Sequence, residues 1–372
     1  MTIDRLSLSE QQQARLREKL QRELGSDVLD ALADPRVIEI MLNPDGRLWI
    51  DELGAGMRDT GTRITAAQGE NLLGTIAAML GGVITSERPI LEGELPLDGS
   101  RLCGILPPVV LGPTLCIRKP AASVFTLDAY VREGILDGGG STVAASENDA
   151  PERGHAAMLR HAIRTRQNIL VIGGTQSGKT TLTNGLLHEL ESIVGATQRV
   201  IAIEDTRELR CIVPNAVALR TSETIDMTRL VRTALRLRPD RIVVGEVRGP
   251  EALAMLKAWN TGHPGGIATV HANNAHAGLI RLEQLVQEAG VPPQPALIAE
   301  AVDLLVVIVR TPRGRRVTEI ARVRGVSSSG YVLEHVDPEH SDIAAHVRRE
   351  HIPVRTTNTR RKLCLLGSPL RK

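Results

Sequence analysis

A run of small and polar residues at positions 173–180 could cradle a chain of phosphates. The run reads Gly173-Gly174-Thr175-Gln176-Ser177-Gly178-Lys179-Thr180, with Thr181 after it. Its glycines let several backbone N–H groups turn inward around bound phosphates. Lys179 would place a positive charge near the β- and γ-phosphates, and the Thr180 hydroxyl would be a magnesium ligand.

The setting of this run decides between a phosphate loop and a chance match in a glycine-rich turn. A wholly apolar run, Ile169-Leu170-Val171-Ile172, precedes it, and the pattern predicts a helix over residues 179–191. Such a helix would direct the positive end of its dipole at the phosphates. The strand, loop and helix together favour a site that binds a nucleoside triphosphate with Mg²⁺ and hydrolyses it.

A second candidate residue, Glu246, follows the apolar run at residues 241–245. An acid at the end of a strand beside the phosphate loop is where magnesium and the attacking water are held. Glu246 would polarise that water or hold the water shell of the metal. The alternative is a glutamate that caps the next helix, which Arg248-Gly249-Pro250-Glu251 opens. The phosphate loop upstream favours the catalytic interpretation.

Polar residues also follow two further predicted strands. Glu204 and Asp205 come after an apolar run at residues 200–203, and His271 follows another at residues 267–270. In a doubly wound sheet, ligands bind at the carboxyl ends of the strands, so Glu204 or Asp205 would face the nucleotide. His271 would hydrogen-bond the γ-phosphate or Glu246. The alternative for a lone histidine is a structural role.

The bulk composition is that of an ordinary globular chain with few aromatic residues. Apolar residues make up 42% and charged residues 24% of its 372 residues, with a formal net charge of +2. Five aromatic side chains are too few for stacking on single strands, and the charge is near neutral, so direct nucleic-acid binding is not expected. The four cysteines are scattered without a Cys-x-x-Cys pair, so a zinc site is not expected and free thiols are.

Residues 1–136 are predicted to form a smaller α+β domain. Helices are predicted at about residues 9–34 and 66–80, strands at residues 37–42 and 47–50, and several short strands from residue 94 to residue 119. The Gly-, Ser- and acid-rich stretch 137–152 predicts a flexible linker, with an ordered surface loop as the alternative.

From residue 153 to residue 330, short apolar strands alternate with helices. Beyond the elements around the phosphate loop, helices are predicted at residues 156–165, 227–237, 251–259 and 275–288. This alternation predicts an α/β domain whose parallel sheet is covered on both faces. Residues 331–372 are expected to form a basic, disordered tail, since residues 346–372 hold eight Arg or Lys and one acid, Glu350.

The N-terminus predicts neither a signal peptide nor a membrane anchor. Residues 1–9 contain no apolar core, and the longest apolar run, at residues 304–309, is too short to span a bilayer. Any membrane association would therefore be peripheral or made through a partner.

With these motifs in this order, the sequence resembles the secretion-superfamily traffic ATPases. Their pattern is a phosphate loop, an acidic box, a strand ending in Gly-Glu, and a histidine box. The match covers about residues 25–325. The spacing between His263 and His271 and the lack of paired cysteines resemble the type IV secretion branch. The stretches at residues 258–274 and 39–46 are most similar to TrbB-type ATPases of plasmid conjugation.

The resemblance implies a RecA-like P-loop motor domain joined to the N-terminal domain, with ATP and Mg²⁺ between them. It also implies that Arg101 and Arg118 reach the γ-phosphate. The protein would be a cytoplasmic homohexamer, peripheral at the inner face of the inner membrane. Its partners would be inner-membrane and other ATPase components of a type IV secretion or conjugation system.

The function expected from this resemblance is ATP hydrolysis that powers pilus assembly or substrate transfer. Two alternatives stay open. A DNA-pumping motor would show DNA-stimulated hydrolysis, and the near-neutral charge argues against it. A nucleotide-gated assembly scaffold would show negligible turnover, and the full set of acids and His271 argues against that.

Overall fold

The computed structural model of the chain describes residues 10–120, 125–137, 154–222 and 224–336. These residues form two sheets, each with its own apolar core. The predicted linker lies outside the described residues except for Asp137, and the tail from residue 337 onward lies outside them as well.

The first sheet contains six antiparallel strands, in the order β3-β2-β1-β6-β5-β4, covered by two helices. Its elements are α1 (Glu10–Ala33), β1 (Val37–Leu42), β2 (Arg47–Glu52), β3 (Gly56–Arg63), α2 (Ala66–Met79), β4 (Ile90–Glu94), β5 (Arg101–Ile105) and β6 (Thr114–Arg118). The predicted helices and the first hairpin are confirmed. Helix α2 begins at a capping box in which Thr65 and Gln68 satisfy each other's backbone N–H groups.

The second sheet contains eight strands, in the order β14-β13-β12-β7-β11-β10-β8-β9. Its elements are α3 (Leu127–Arg132), α4 (His155–Arg164), β7 (Ile169–Ile172), α5 (Lys179–Val194), β8 (Val200–Glu204), β9 (Ala216–Arg220), α6 (Met227–Ala234), β10 (Arg241–Val244), α7 (Glu251–Asn260), β11 (Ile267–Val270), α8 (Ala275–Gln287), α9 (Pro295–Ala301), β12 (Leu304–Thr311), β13 (Gly314–Ser327) and β14 (Gly330–His335). The six neighbouring strands β12, β7, β11, β10, β8 and β9 run parallel to one another. Strands β13 and β14 add an antiparallel edge beside β12.

Strand β7 shows why the sheet is covered on both faces. Ile169 and Val171 pack into one apolar core, whereas Leu170 and Ile172 pack into the other. Side chains alternate between the two faces of a strand, so a strand with four buried apolar residues needs a layer of helices on each side. Burying each such side chain contributes about 1.5–3 kcal/mol. The predicted parallel α/β sheet is confirmed.

Two segments differ from the sequence-based division of the chain. Leu127, Tyr130 and Leu136 fall within the predicted first domain, but they pack into the core of the second sheet. Residues 331–335, assigned to a disordered tail, instead form most of β14, so that part of the prediction is wrong. A tight turn at residues 327–330 returns the chain along β13, and the Tyr331 hydroxyl donates to Glu283 at 2.6 Å.

Within the described part of the chain, no helix is both long and apolar enough to cross a membrane.

Candidate nucleotide site

The loop between β7 and α5 adopts a backbone that its glycines make possible. Gly178, directly before α5, has a φ of +101°, a conformation that side chains other than glycine rarely adopt. A Cβ atom on Gly173 would lie 2.4 Å from the carbonyl oxygen of Ile308, so the neighbouring strand β12 leaves no room for one. The loop therefore wraps the N-terminus of α5, where unpaired N–H groups favour anions.

Lys179 is the cation of this loop. It is 7% exposed, and its amine donates to the carbonyls of Gly173 at 3.0 Å and Gly174 at 2.9 Å. Burial lowers the pKa of Lys179 to about 8, although the negative charge of Glu246 acts in the opposite direction. The loop carbonyls thus hold an amine that is poorly solvated and available for a stronger anionic partner.

Thr180 faces an acid that the sequence did not single out. Its hydroxyl donates to Glu208 Oε2 at 3.1 Å, and Asn184 holds the backbone carbonyl of Glu208 at 2.9 Å. Glu208 stands four residues after Glu204, and this third acid in the same polar segment, after Glu204 and Asp205, was the signal that could have identified it.

Glu204 lies beneath that segment and supports it. Its Oε2 accepts the backbone N–H groups of Glu208 and Leu209, both at 2.9 Å. Burial raises the pKa of the Glu204 carboxyl, and these two hydrogen bonds oppose the rise. A Cβ atom on Gly245 would lie 3.1 Å from Glu204 Cβ, so the glycine before Glu246 makes room for this support.

Glu246 and His271 meet because β10 and β11 are parallel neighbours. Val244 pairs with Ala268, and both chains continue past the carboxyl edge of the sheet. His271 Nε2 lies 2.5 Å from Glu246 Oε1, and the Lys179 amine lies 3.4 Å from both ring nitrogens. Burial and the charge of Lys179 lower the pKa of His271, while Glu246 raises it, and the net shift is downward. The His271 ring and the Glu246 carboxylate are thus in direct contact beside Lys179.

A second contact orients the same carboxylate. Arg248 donates through Nε to Glu246 Oε2 at 2.6 Å, and its Nη2 contacts the same oxygen. Glu246 is therefore held on one oxygen by a histidine and on the other by an arginine. This arrangement gives the carboxylate a defined orientation beside the phosphate loop.

The first sheet brings Arg101 and Arg118 to the same cleft. The two residues are directly opposite each other in the β5–β6 register. Arg101 Nη1 lies 3.8 Å from Glu208 Oε1, and Arg118 Nε lies 3.5 Å from Glu39 Oε1. The charge of Arg118 also contributes to lowering the pKa values of Lys179 and His271. Arg101 thus contacts the acid that meets Thr180, and the charge of Arg118 acts on Lys179 and His271.

The donor set in the cleft suits a cation that a phosphate helps to hold. Among the described residues, no cluster of three or more His, Cys, Asp or Glu side chains could bind a metal by itself. Mg²⁺ is commonly held by one or two protein oxygens together with substrate phosphates. The Thr180 hydroxyl and the nearby carboxylates of Glu208 and Glu246 supply oxygens of that kind at the loop.

Comparisons with known proteins identify the family of the chain. A family model described as type II/IV secretion system protein matches residues 135–352. The chain is 48% identical to a probable conjugal transfer protein TrbB of Sinorhizobium fredii over 86% of this chain and 93% of that protein. It is 46% identical to the conjugal transfer protein TrbB of Rhizobium radiobacter over 86% of this chain and 94% of that protein.

A solved structure shares the fold. The ATPase DotB of Yersinia pseudotuberculosis aligns with a TM-score of 0.54 over 80% of this chain and 78% of that chain, at 17% identity. The family match covers more than half of the sequence, and the TrbB relatives align along most of it. The chain therefore belongs to the type II/IV secretion system protein family, with the TrbB proteins of conjugal transfer among its relatives.

Proposed function

We propose that this protein is a Mg²⁺-dependent ATPase whose hydrolysis of ATP powers pilus assembly or substrate transfer by a type IV secretion or conjugation machine. The observation that carries the proposal is the meeting of Lys179, Thr180 and the Glu246–His271 pair at one edge of a parallel sheet. The second sheet and its helices, from α3 to β14, would form a RecA-like P-loop motor domain, and the first sheet with α1 and α2 a smaller N-terminal domain. Family membership supports the same function.

The phosphate loop would bind ATP through backbone N–H groups from Gly173 to Thr181. Thr175, Gln176 and Ser177 form the turn, and α5 directs its positive dipole end at the phosphates. Lys179 would exchange the carbonyls of Gly173 and Gly174 for phosphate oxygens. That exchange places a full positive charge against full negative charges, so the lysine favours the bound state.

Thr180 and Glu208 would hold Mg²⁺, with Glu246 reaching it through water. When bound, Mg²⁺ would neutralise charge on the β- and γ-phosphates. Glu246 would orient and polarise the attacking water, since its carboxylate lies between His271 and Arg248 beside the phosphate loop. Glu204 would keep Glu208 in place through the two backbone hydrogen bonds it accepts.

Arg101 and Arg118 would stabilise the charge that develops on the transferred phosphoryl group. They belong to the first sheet, whereas Lys179 belongs to the second. Closing the two sheets on ATP would complete the site, and release of phosphate would reopen it.

The assembly proposed for this function is a homohexamer. It would lie in the cytoplasm, peripherally at the inner face of the inner membrane, and would contact inner-membrane and other ATPase components of the machine. Direct nucleic-acid binding is not part of the proposal, because the net charge of +2 is close to neutral.

The Lys179→Ala variant tests this function. We expect it to lose ATP hydrolysis and plasmid transfer while its thermal unfolding stays close to that of the wild type. The matched control is Lys257→Ala, which removes an exposed lysine on α7. Transfer at the wild-type level in a strain carrying only Lys179→Ala would overturn the proposal.

A further inference from the structure

One row of charged side chains crosses the first sheet on the face that meets the second. The strand register places Glu94, Arg101, Arg118 and Glu39 directly opposite one another on β4, β5, β6 and β1. Opposed residues of antiparallel strands project from the same face of a sheet. The two arginines of the nucleotide site are therefore flanked by one acid on each side.

The acid at the β4 end of the row reaches across to the second sheet. Glu94 Oε1 accepts from Arg220 Nη1 at 2.6 Å and from the backbone N–H of Arg207 at 3.2 Å. Arg220 is the last residue of β9, and Arg207 belongs to the segment that follows β8. Burial alone would raise the pKa of the Glu94 carboxyl, but these hydrogen bonds outweigh it and the pKa is lowered. Glu94 is thus an ionised acceptor, and its side chain is 19% exposed.

Three consecutive backbone N–H groups of that segment are bound by carboxylates from two different sheets. Glu94 of the first sheet accepts from residue 207, and Glu204 of the second sheet accepts from residues 208 and 209. The middle residue, Glu208, carries the carboxylate that meets the Thr180 hydroxyl. The position of this carboxylate therefore depends on both sheets.

We infer that Glu94 is a positioning residue of the nucleotide site, which fixes Glu208 against Thr180 only when the first sheet is seated on the second. This inference rests on the proposed function. Glu94 makes no contact with the phosphate loop. It acts on the position of Glu208 through its hydrogen bond with the backbone N–H of Arg207. Its contacts with Arg207 and Arg220 and the contact of Arg101 with Glu208 all join the first sheet to the second. Packing of the first sheet against the second would thus bring Arg101 and Arg118 to the nucleotide site and fix the position of Glu208 in the same step.

The experiment measures kcat and KM for ATP in the full-length protein carrying Glu94→Ala, Glu94→Gln or Arg220→Ala. Glu92 provides a matched control because it lies two residues away on the same face of β4, is exposed, and has no hydrogen bond or ion pair with any described residue. We expect Glu94→Ala to lower kcat about 10-fold with KM changed less than about 2-fold, since a transition-state contact is weakened and ground-state binding is not. Glu94→Gln keeps an oxygen for the Arg207 N–H and is expected to lose less. Glu92→Ala should match the wild type.

Two further measurements distinguish a positioning role of Glu94 from a general loss of stability. They are the kcat of a double variant and the exchange of backbone amide protons with solvent. The Glu94→Ala, Arg220→Ala double variant should be no slower than Glu94→Ala alone, because both changes remove one contact. In Glu94→Ala the amide of Arg207 should exchange faster with solvent, while those of Glu208 and Leu209 stay protected by Glu204. A wild-type kcat in Glu94→Ala, or an unchanged Arg207 amide, would overturn the inference.

Two further outcomes, a variant that does not fold and a wild type that hydrolyses no ATP, also decide between the possibilities. If Glu94→Ala does not fold, Glu94→Ser takes its place, because its side chain is too short to reach the Arg207 N–H, and a wild-type kcat or unchanged Arg207 exchange in that variant overturns the inference. If the wild type itself hydrolyses no ATP, the proposed function fails, and the exchange of the Arg207 amide still decides whether Glu94 positions the segment.

Discussion

The two halves of the nucleotide site are built in different ways. The half on the second sheet consists of side chains such as Lys179 and Glu204, which are less than a tenth exposed and hydrogen-bonded at 2.9–3.0 Å. The half on the first sheet consists of Arg101 and Arg118, whose side chains are 40% and 39% exposed and whose ion pairs span 3.8 and 3.5 Å.

This difference between the halves has different consequences for nucleotide binding and for the rate of hydrolysis. The buried half is held by strands that end at the same edge of one sheet, so it is in place before a nucleotide arrives. The exposed half is held by ion pairs in a high-dielectric environment, and such pairs are worth about 0–1 kcal/mol each. We therefore expect nucleotide affinity to depend on the second sheet alone, and the rate of hydrolysis to depend also on the seating of the first sheet.

The largest effect is expected from Glu246→Gln, within the buried half. Removal of the carboxylate that polarises water should lower kcat on the order of 10³-fold, within the range for loss of a general base. Nucleotide affinity, measured by equilibrium binding, should stay within a few-fold. The control is Glu300→Gln on the exposed face of α9. Unchanged turnover would show that Glu246 does not polarise the attacking water. Full support of plasmid transfer by a variant that has lost turnover would favour an assembly scaffold over an ATPase.

A smaller effect is expected from Arg101→Ala and Arg118→Ala, in the exposed half. Each should lower kcat about 10²-fold, because an arginine that stabilises transition-state charge acts on the rate. ATP affinity should change little. Arg63→Ala, an exposed arginine at the end of β3, is the control. A loss of affinity at constant kcat would instead place the arginines in ground-state binding, and the proposed division between the halves would be wrong.

The smallest effect is a dependence of ATP affinity on pH. The pKa of Lys179 is about 8 without ligand, and bound phosphate would raise it by favouring the charged amine. Affinity should therefore be constant from pH 7 to about 8 and fall above it, by at most about tenfold per pH unit. Titration of a fluorescent ATP analogue between pH 7 and 9.5 measures this. Lys179→Arg, whose charge does not titrate in that range, should bind with a flat profile, and a flat profile in the wild type would contradict the prediction.

The half on the second sheet was largely predictable from sequence because its parts are local. Each of β7, β10 and β11 is a short apolar run followed directly by its functional residue, as in Val244 and Glu246 or Val270 and His271. In a parallel sheet such residues converge at one edge whatever the strand order. The sequence did not identify Glu208, because its segment turns back toward Thr180. That turn depends on the hydrogen bond that Glu204 accepts from the Glu208 N–H and the one that Asn184 donates to the Glu208 carbonyl.

The exposed half was less predictable because its geometry is non-local. Arg101 and Arg118 were recognised by family resemblance, but their contacts with Glu208 and Glu39 follow from the register of four strands and from docking between sheets. Helix α3 also joins a core that its position in the chain did not indicate, because Tyr130 packs against residues of the second sheet.

By itself, the sequence determined the phosphate loop, the parallel α/β pattern around it and the acids and histidine that follow the strands. Those features depend on residue type and spacing over a few positions, where backbone geometry and side-chain alternation leave few choices. Only the tertiary structure decided which acid meets Thr180 and which carboxylates hold the segment that carries it. Thr180 and Glu208 are 28 positions apart, and Glu94 and Arg207 are 113 positions apart, so strand register and packing between sheets bring them together.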